Sequence, residues 1–150
     1  MGFALVTTTH ARSSSPVSAG PSYVIFDAKI GKGLFLQCSR SAPTAADYWT
    51  PGPADIAKLE TALPAALPPV SNWRGKVLSN APKGWLRQYV GFLRGGRRFI
   101  YGNFFPDSPD EHADWRQAPV MVCDGGPAFF GVEFDADRGA ITDLEFNGEG

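Results

Sequence analysis

The chain has 150 residues and a formal net charge of −1, with 43% apolar and 19% charged residues. This length is typical of one domain, and the composition is typical of a globular protein rather than a disordered one. The near-zero net charge argues against binding to nucleic acid or membranes through bulk electrostatics, and no apolar run approaches the roughly 18 residues of a membrane-spanning helix.

The first residues differ in character from the rest of the chain. Residues 1–20 are small and polar, and include Ser13-Ser14-Ser15-Pro16. They lack the charged start and the apolar stretch of about 7–15 residues that mark a secretory signal peptide. We interpret residues 1–20 as a flexible leader, followed by a single domain of residues 21–150.

The first apolar segments of the domain are short. Tyr23–Phe26 and Leu34–Cys38 flank Gly31-Lys32-Gly33. Short apolar runs on either side of a glycine-rich turn predict a hairpin, or two separate strand fragments.

One helix has a clear start in the sequence. Gly52 is placed to be its N-cap and Pro53 its first residue, where the missing N–H of proline costs nothing. Ile56, Leu59 and Leu63 recur with helical spacing and form one apolar stripe. Pro64 lacks the N–H of a helix interior, so we expect a short helix of about three turns that packs on a sheet.

The clearest pattern is a hairpin centred on Gly95-Gly96. The loop separates the segments Leu86–Arg94 and Arg97–Phe105. Two-glycine loops are typical of primed turns, which join tightly paired antiparallel strands. Counting outward from the loop predicts the pairs Arg94–Arg97, Phe92–Phe99, Val90–Tyr101 and Leu86–Phe105, so one face of the hairpin should be largely apolar.

Further strands are predicted towards the C-terminus. Phe129–Asp135 and Ile141–Asn147 form a second hairpin, and Val120–Cys123 is a separate strand. Alternation along the second hairpin puts phenylalanines on one face and carboxylates, including Asp135, on the other. The sequence therefore predicts an α+β fold, with one helix packed on an antiparallel sheet of four to six strands, similar in shape to cystatin by analogy.

The charges are unevenly distributed. Residues 71–100 hold seven basic residues and no acid, whereas residues 101–150 hold eleven acids and two arginines. We expect these groups to neutralise each other across neighbouring strands. The alternative is that Arg94, Arg97 and Arg98, here named the arginine tip, contact an acidic protein partner.

The two cysteines leave two alternatives open. Cys38 and Cys123 each lie within an apolar run. Buried free thiols are expected in a cytosolic protein, whereas a disulfide is expected in an exported one.

Candidate chemical groups are few. Cys123, His112 and the neighbouring Asp124 are candidates for a ligand or nucleophile site. A thiol needs a base within reach to become a nucleophile, and His112 is the candidate base. The acids of Asp135–Gly139 and of Asp107–Asp114 fit a turn and a solvated loop better than a calcium site. We therefore predict no metal, no cofactor and no nucleic-acid partner.

A resemblance adds a setting but no activity. The chain resembles uncharacterised small bacterial proteins, many with export signals, over about residues 48–148. The shared runs are Trp49-Thr50-Pro51, Gln88-Tyr-Val-Gly-Phe, Gly96-Arg-Arg-Phe-Ile-Tyr-Gly-Asn-Phe-Phe-Pro, Pro119-Val-Met-Val-Cys-Asp-Gly-Gly, Phe130-Gly-Val-Glu-Phe-Asp and Phe146-Asn147-Gly148. This resemblance implies a periplasmic or secreted setting.

The sequence as a whole favours a binding protein over an enzyme. Few acid–base groups are present, so we expect a non-enzymatic protein-binding or inhibitory module, of the kind that immunity proteins represent. The alternative is a small enzyme or ligand binder with a pocket between the helix and the sheet.

Overall fold

A computed structural model describes residues 22–67, 72–73, 76–77, 84–107 and 112–148, so the leader predicted at residues 1–20 lies outside the described residues. The elements, in chain order, are β1 (Tyr23–Ile25), α1 (Ala28–Gly31), a 3₁₀ helix (Lys32–Leu36), β2 (Asp47–Trp49), α2 (Pro53–Ala66), β3 (Asn72–Trp73), β4 (Lys76–Val77), β5 (Trp85–Arg94), β6 (Arg97–Pro106), a second 3₁₀ helix (Gly126–Ala128), β7 (Phe130–Asp135) and β8 (Ala140–Phe146).

Six strands form one mixed, largely antiparallel sheet, in the order β1-β5-β6-β7-β8. The β5 strand has two neighbours on its outer edge, since β1 pairs with one half in parallel and β2 pairs with the other half antiparallel. Strands β3 and β4 pair with each other and with no other strand of the described residues. The predicted α+β class is confirmed, with a second, very short helix and one parallel strand pair that the sequence did not indicate.

The β5–β6 hairpin has the predicted register. Phe92 lies opposite Phe99, Val90 opposite Tyr101 and Leu86 opposite Phe105. Gly95 and Gly96 have φ angles of 59° and 72°, the left-handed conformation that a type I′ turn requires at both positions. The loop therefore sets which side chain faces which side of the sheet.

Both faces of this hairpin are buried, although the sequence predicted only one apolar face. On one face, Tyr89, Ile100 and Phe104 pack in the same core cluster as the apolar stripe of α2. On the other face, Phe92 and Tyr101 pack with residues that precede and follow α1. The paired glycine at position 102 leaves room for the Tyr89 ring, since a Cβ there would lie 2.8 Å from a Tyr89 ring carbon.

Helix α2 begins where predicted. Gly52 is the N-cap, Pro53 is the first helical residue, and the Asp55 carboxylate accepts the Gly52 N–H at 2.9 Å. Ile56, Leu59 and Leu63 are buried against the sheet. The helix extends two residues beyond Pro64, because only one N–H is lost there and the apolar stripe on either side remains packed.

The predicted strand at Leu34–Cys38 is wrong. Residues Lys32–Leu36 instead form a 3₁₀ helix that continues α1. Asp27 caps α1 by accepting the Ile30 N–H at 3.0 Å, which starts a helical turn. Gly31 permits close contact with Val90 of β5, because a Cβ at this position would overlap the Val90 side chain.

The predicted strand at Val120–Cys123 is also wrong, because side chains replace a neighbouring strand as hydrogen-bond partners. The Val120 N–H donates to Gln88 Oε1 at 2.8 Å, and the Val120 carbonyl accepts from Asn103 Nδ2 at 2.9 Å. Gln88 Nε2 also donates to the carbonyls of Trp115 and Ala118, at 2.6 and 2.7 Å. Two buried amides of β5 and β6 therefore hold the loop of residues 112–123 on the sheet.

The β7–β8 hairpin contains a β-bulge. Glu133 pairs with Asp143, but the next residue, Phe134, pairs with Ile141, so Thr142 is the extra residue. The bulge puts Ile141 on the side of α2 together with Leu144, although an unbroken alternation would place them on opposite faces.

Cys38 and Cys123 form a disulfide with a Cα–Cα distance of 5.3 Å. Both residues are solvent-exposed rather than buried. The bond joins the segment after the first 3₁₀ helix to the loop that precedes β7. Of the two alternatives that the sequence left open, the structure has the disulfide.

We expect Gln88→Leu to lower the free energy of unfolding by about 3 kcal/mol, because it leaves several buried backbone groups of the 112–123 loop without partners. Urea denaturation measures this change. Gln117→Leu is the matched control, since Gln117 is exposed and its loss should cost no more than about 0.5 kcal/mol. Equal losses in the two variants would contradict the role of Gln88.

Reduction of the disulfide should destabilise the fold by about 4–5 kcal/mol, because the bond closes a loop of 85 residues in the unfolded chain. The Cys38→Ser, Cys123→Ser double variant should reproduce this loss in urea denaturation. The unreduced chain should show no thiol that reacts with Ellman's reagent, even in denaturant. One reactive thiol equivalent or more would contradict the bond.

Candidate functional site

The arginine tip is ion-paired with the β7–β8 hairpin. Arg94 pairs with Glu133 at 2.8 Å and Arg97 with Asp135 at 2.9 Å. The third arginine, Arg98, pairs with Asp137 at 2.8 Å. The expected neutralisation across neighbouring strands is therefore present, with each arginine on β5 or β6 facing an acid on or just beyond β7.

Asp135 is the most buried member of these pairs. The alternation predicted it on the polar face with the other carboxylates, yet it is fully buried. Its Oδ1 accepts the N–H groups of Asp137 and Arg138, so the following turn folds over the carboxylate. Asp135 thus fixes this turn, while Arg97 supplies the opposite charge that a buried carboxylate needs.

The pair of Arg98 and Asp137 is more exposed than the other two and is held by both backbone and side-chain hydrogen bonds. Asp137 accepts both the backbone N–H and the guanidinium of Arg98, and these bonds hold the pKa of its carboxyl below the usual range. The hydrogen bond that the Arg94 guanidinium donates to the Glu133 carboxylate raises the pKa of Arg94. All three arginine side chains nevertheless remain 37–53% exposed.

The three nucleophile candidates do not form a catalytic group. Cys123 is disulfide-bonded and has no free thiol in this structure. The ring of His112 makes an edge contact with Phe105, at 5.4 Å between ring centres. Asp124 has a φ of 67°, and its carbonyl accepts a hydrogen bond from Asn147. These residues shape the loop before β7.

A large open groove lies elsewhere, between α1 with its 3₁₀ helix and the 112–123 loop. Its volume is about 580 Å³. The residues that line it, here named the lysine groove, are Lys29, Ile30, Lys32, Gly33, Leu36, Gln117, Ala118 and Pro119. Leu36 is 69% exposed, and it is one of two large apolar side chains that are exposed among the described residues.

Hydrogen bonds hold both walls of the lysine groove in place. The helical wall is capped by Asp27, and the loop wall is bound by the Gln88 amide through the Ala118 carbonyl. Gly33 brings the walls together, since a Cβ there would lie 2.8 Å from the Pro119 ring. The groove is therefore a preformed feature of the fold.

The charge at the lysine groove is not neutralised. Lys29 and Lys32 are exposed, and neither forms an ion pair with an acid in the part of the chain that the structure describes. An apolar surface bordered by free cations is complementary to a segment that has both apolar and acidic side chains. Sequence reasoning missed this site, although the i, i+3 spacing of the two lysines after Asp27 was a usable signal.

Comparisons with known proteins do not place the chain in a family. No protein-family model matches this chain, and no curated protein sequence or solved structure is significantly similar to it. Among the helices of the described residues, none is long and apolar enough to span a membrane. Across the same described ranges, no group of three or more His, Cys, Asp or Glu side chains is arranged to hold a metal ion.

We expect Arg97→Ser to lower the free energy of unfolding by about 2 kcal/mol, because it leaves the Asp135 carboxylate buried without its nearest cation. Arg138, at 3.9 Å from the same carboxylate, limits the loss. Arg98→Ser is the matched control, and it should change stability less because its partner, Asp137, is at the surface. If the two variants unfold at the same urea concentration, the pair of Arg97 and Asp135 does not stabilise the turn after β7.

Proposed function

We propose that the protein is a non-enzymatic module that binds an acidic, partly apolar segment of another protein in the lysine groove. The observation that carries the proposal is the exposed Leu36 beside Lys29 and Lys32, on a groove whose walls are fixed. Exposed apolar surface with a polar rim is typical of protein interaction sites.

A second large apolar side chain is exposed close in sequence to the residues that line the groove. Met121, two residues after Pro119 of the groove, is 46% exposed. Methionine adapts its shape to varied partners and is common at binding surfaces. Leu36 and Met121 are each two residues away from the disulfide, which links their segments. The disulfide therefore links covalently the two segments that carry these exposed apolar side chains.

The lysine groove suits an acidic partner better than the arginine tip does. Each arginine of the tip already has an acidic partner within the fold, which weakens the field it presents to another protein. Lys29 and Lys32 have no such pairing within the described ranges. We therefore keep the acidic protein partner that the sequence suggested, but we propose that it contacts the lysine groove rather than the arginine tip.

The small-enzyme alternative has less support from the geometry. The core between α2 and the sheet is filled by Ile56, Leu59 and Leu63, each at most 1% exposed. An opening of about 410 Å³ lies beside α2, but no acid, histidine or cysteine of the described residues lines it. The exposed disulfide favours an oxidising compartment, in agreement with the periplasmic or secreted setting that the resemblance implies. An inhibitory or immunity-like role in that setting is our proposal for the biological context.

A synthetic peptide of alternating glutamate and leucine is a suitable probe. When it is added to the ¹⁵N-labelled protein, the amide signals of residues 29–36 and 117–121 should shift in a saturable manner. A lysine–leucine peptide of the same length is the control for apolar contact alone. Binding should weaken as salt is added, because the two lysines are exposed.

The Lys29→Gln, Lys32→Gln double variant should reduce affinity for the acidic peptide several-fold and flatten its salt dependence. Leu36→Ser should reduce affinity without changing the salt dependence. Lys58→Gln is the matched control, since Lys58 is an exposed lysine of α2 outside the groove. Signals that shift at residues 94–98 instead would assign the contact to the arginine tip and overturn the proposal.

A further inference from the structure

A second, polar pocket lies on the face of the sheet opposite α2. Here the segment that contains Arg40 and Ser41 lies against residues of β6, β7 and β8. The residues that line this Arg40 pocket are Arg40, Ser41, Tyr101, Gly131, Glu133, Asp143 and Glu145. Its inner volume is about 10 Å³, which holds one water-sized group, and it opens to a wider mouth.

The floor of the Arg40 pocket includes hydrogen-bond donors that have no partner among the described residues. Arg40 is only 7% exposed, and its Nη2 donates to Asn103 Oδ1 at 2.6 Å. Its Nε and Nη1, and the Tyr101 hydroxyl, have no partner among the described residues. A buried guanidinium with two nitrogens that donate no hydrogen bond is costly unless another group accepts from them.

Gly131 leaves this floor open. A Cβ at this position would lie within 3 Å of both the Tyr101 hydroxyl and Arg40 Nη1. The two donors therefore converge over one glycine of β7. Burial raises the pKa of Tyr101, so its phenol stays protonated and can donate at neutral pH.

The rim of the Arg40 pocket includes carboxylates, which are acceptors, whereas its floor includes donors. Glu133 is engaged by Arg94, and Glu145 accepts the Ser41 N–H at 3.0 Å. Asp143 is exposed and forms no ion pair with a described residue. A simple anion would satisfy Arg40 but would sit among carboxylates, whereas a simple cation would satisfy the rim but would face the guanidinium.

A small zwitterion meets both requirements. We propose that the Arg40 pocket binds a small α-amino acid, with one carboxylate oxygen on the donors of Arg40 and Tyr101 and with the ammonium group beside Asp143 and Glu145. The inner volume admits only that oxygen, so the ammonium lies at the mouth. The lysine groove is on a different part of the surface, and this inference does not rest on it.

Glycine is the probe for this site, and three compounds carry parts of its chemistry. Acetate has only the carboxylate, methylammonium has only the ammonium, and glycine betaine has both charges but no N–H donor. At ten times its dissociation constant, glycine should raise the Tm by about 4 °C for a chain of this length. It should also shift the Arg40 Nε–H signal in ¹⁵N spectra, whereas the three partial analogues should not.

Tyr101→Phe removes one floor donor and Asp143→Asn removes one rim charge, and each should weaken glycine binding at least several-fold. Asp143 is exposed, so its variant keeps the test valid even if Tyr101→Phe does not fold. Asp114→Asn, an exposed acid outside the pocket, should bind glycine normally. Equal responses to acetate and glycine, or no response of Arg40 to any compound because the pocket holds only water, would overturn the proposal.

Discussion

The pairing of β5 with β6 is the constraint on which the other elements depend. Two consecutive glycines in the left-handed conformation fix ten facing residue pairs, and this register determines the side of the sheet on which each side chain lies. Helix α2 packs on one face of the pair, while α1, the first 3₁₀ helix and the 112–123 loop cover the other. Both surfaces proposed for binding lie on this second side of the sheet.

The strongest local signals predicted the fold correctly. The Gly95-Gly96 loop needs a left-handed conformation that few residues permit, and the fixed φ of Pro53 suits the first turn of a helix, so sequence was sufficient at both places. The segment at Leu34–Cys38 was predicted wrongly because a short apolar run fits a strand and a buried helical turn equally well. The segment at Val120 was predicted wrongly because its partners are side chains on β5 and β6, which no local pattern reveals.

The functional surfaces were harder to predict than the fold. The arginine tip was conspicuous because three cations lie within five positions, but their acidic partners are nearly forty residues away. Lys29, Leu36 and Arg40 have ordinary neighbours in the sequence. Their importance comes from what the fold leaves exposed at the first two and what it buries around the third, and both depend on contacts distant in sequence.

The bulge at Thr142 has a consequence for the behaviour of the protein at high concentration. Among the described strands, β8 is the last of the sheet, and an edge strand of this kind could pair with the same edge of another molecule. An extra residue interrupts the regular spacing of its outward amides, and Asp143 and Glu145 add like charges to the strand. If two copies met along β8, their backbone hydrogen-bonding groups would be mismatched and their carboxylates would repel. These two features therefore disfavour aggregation through this strand.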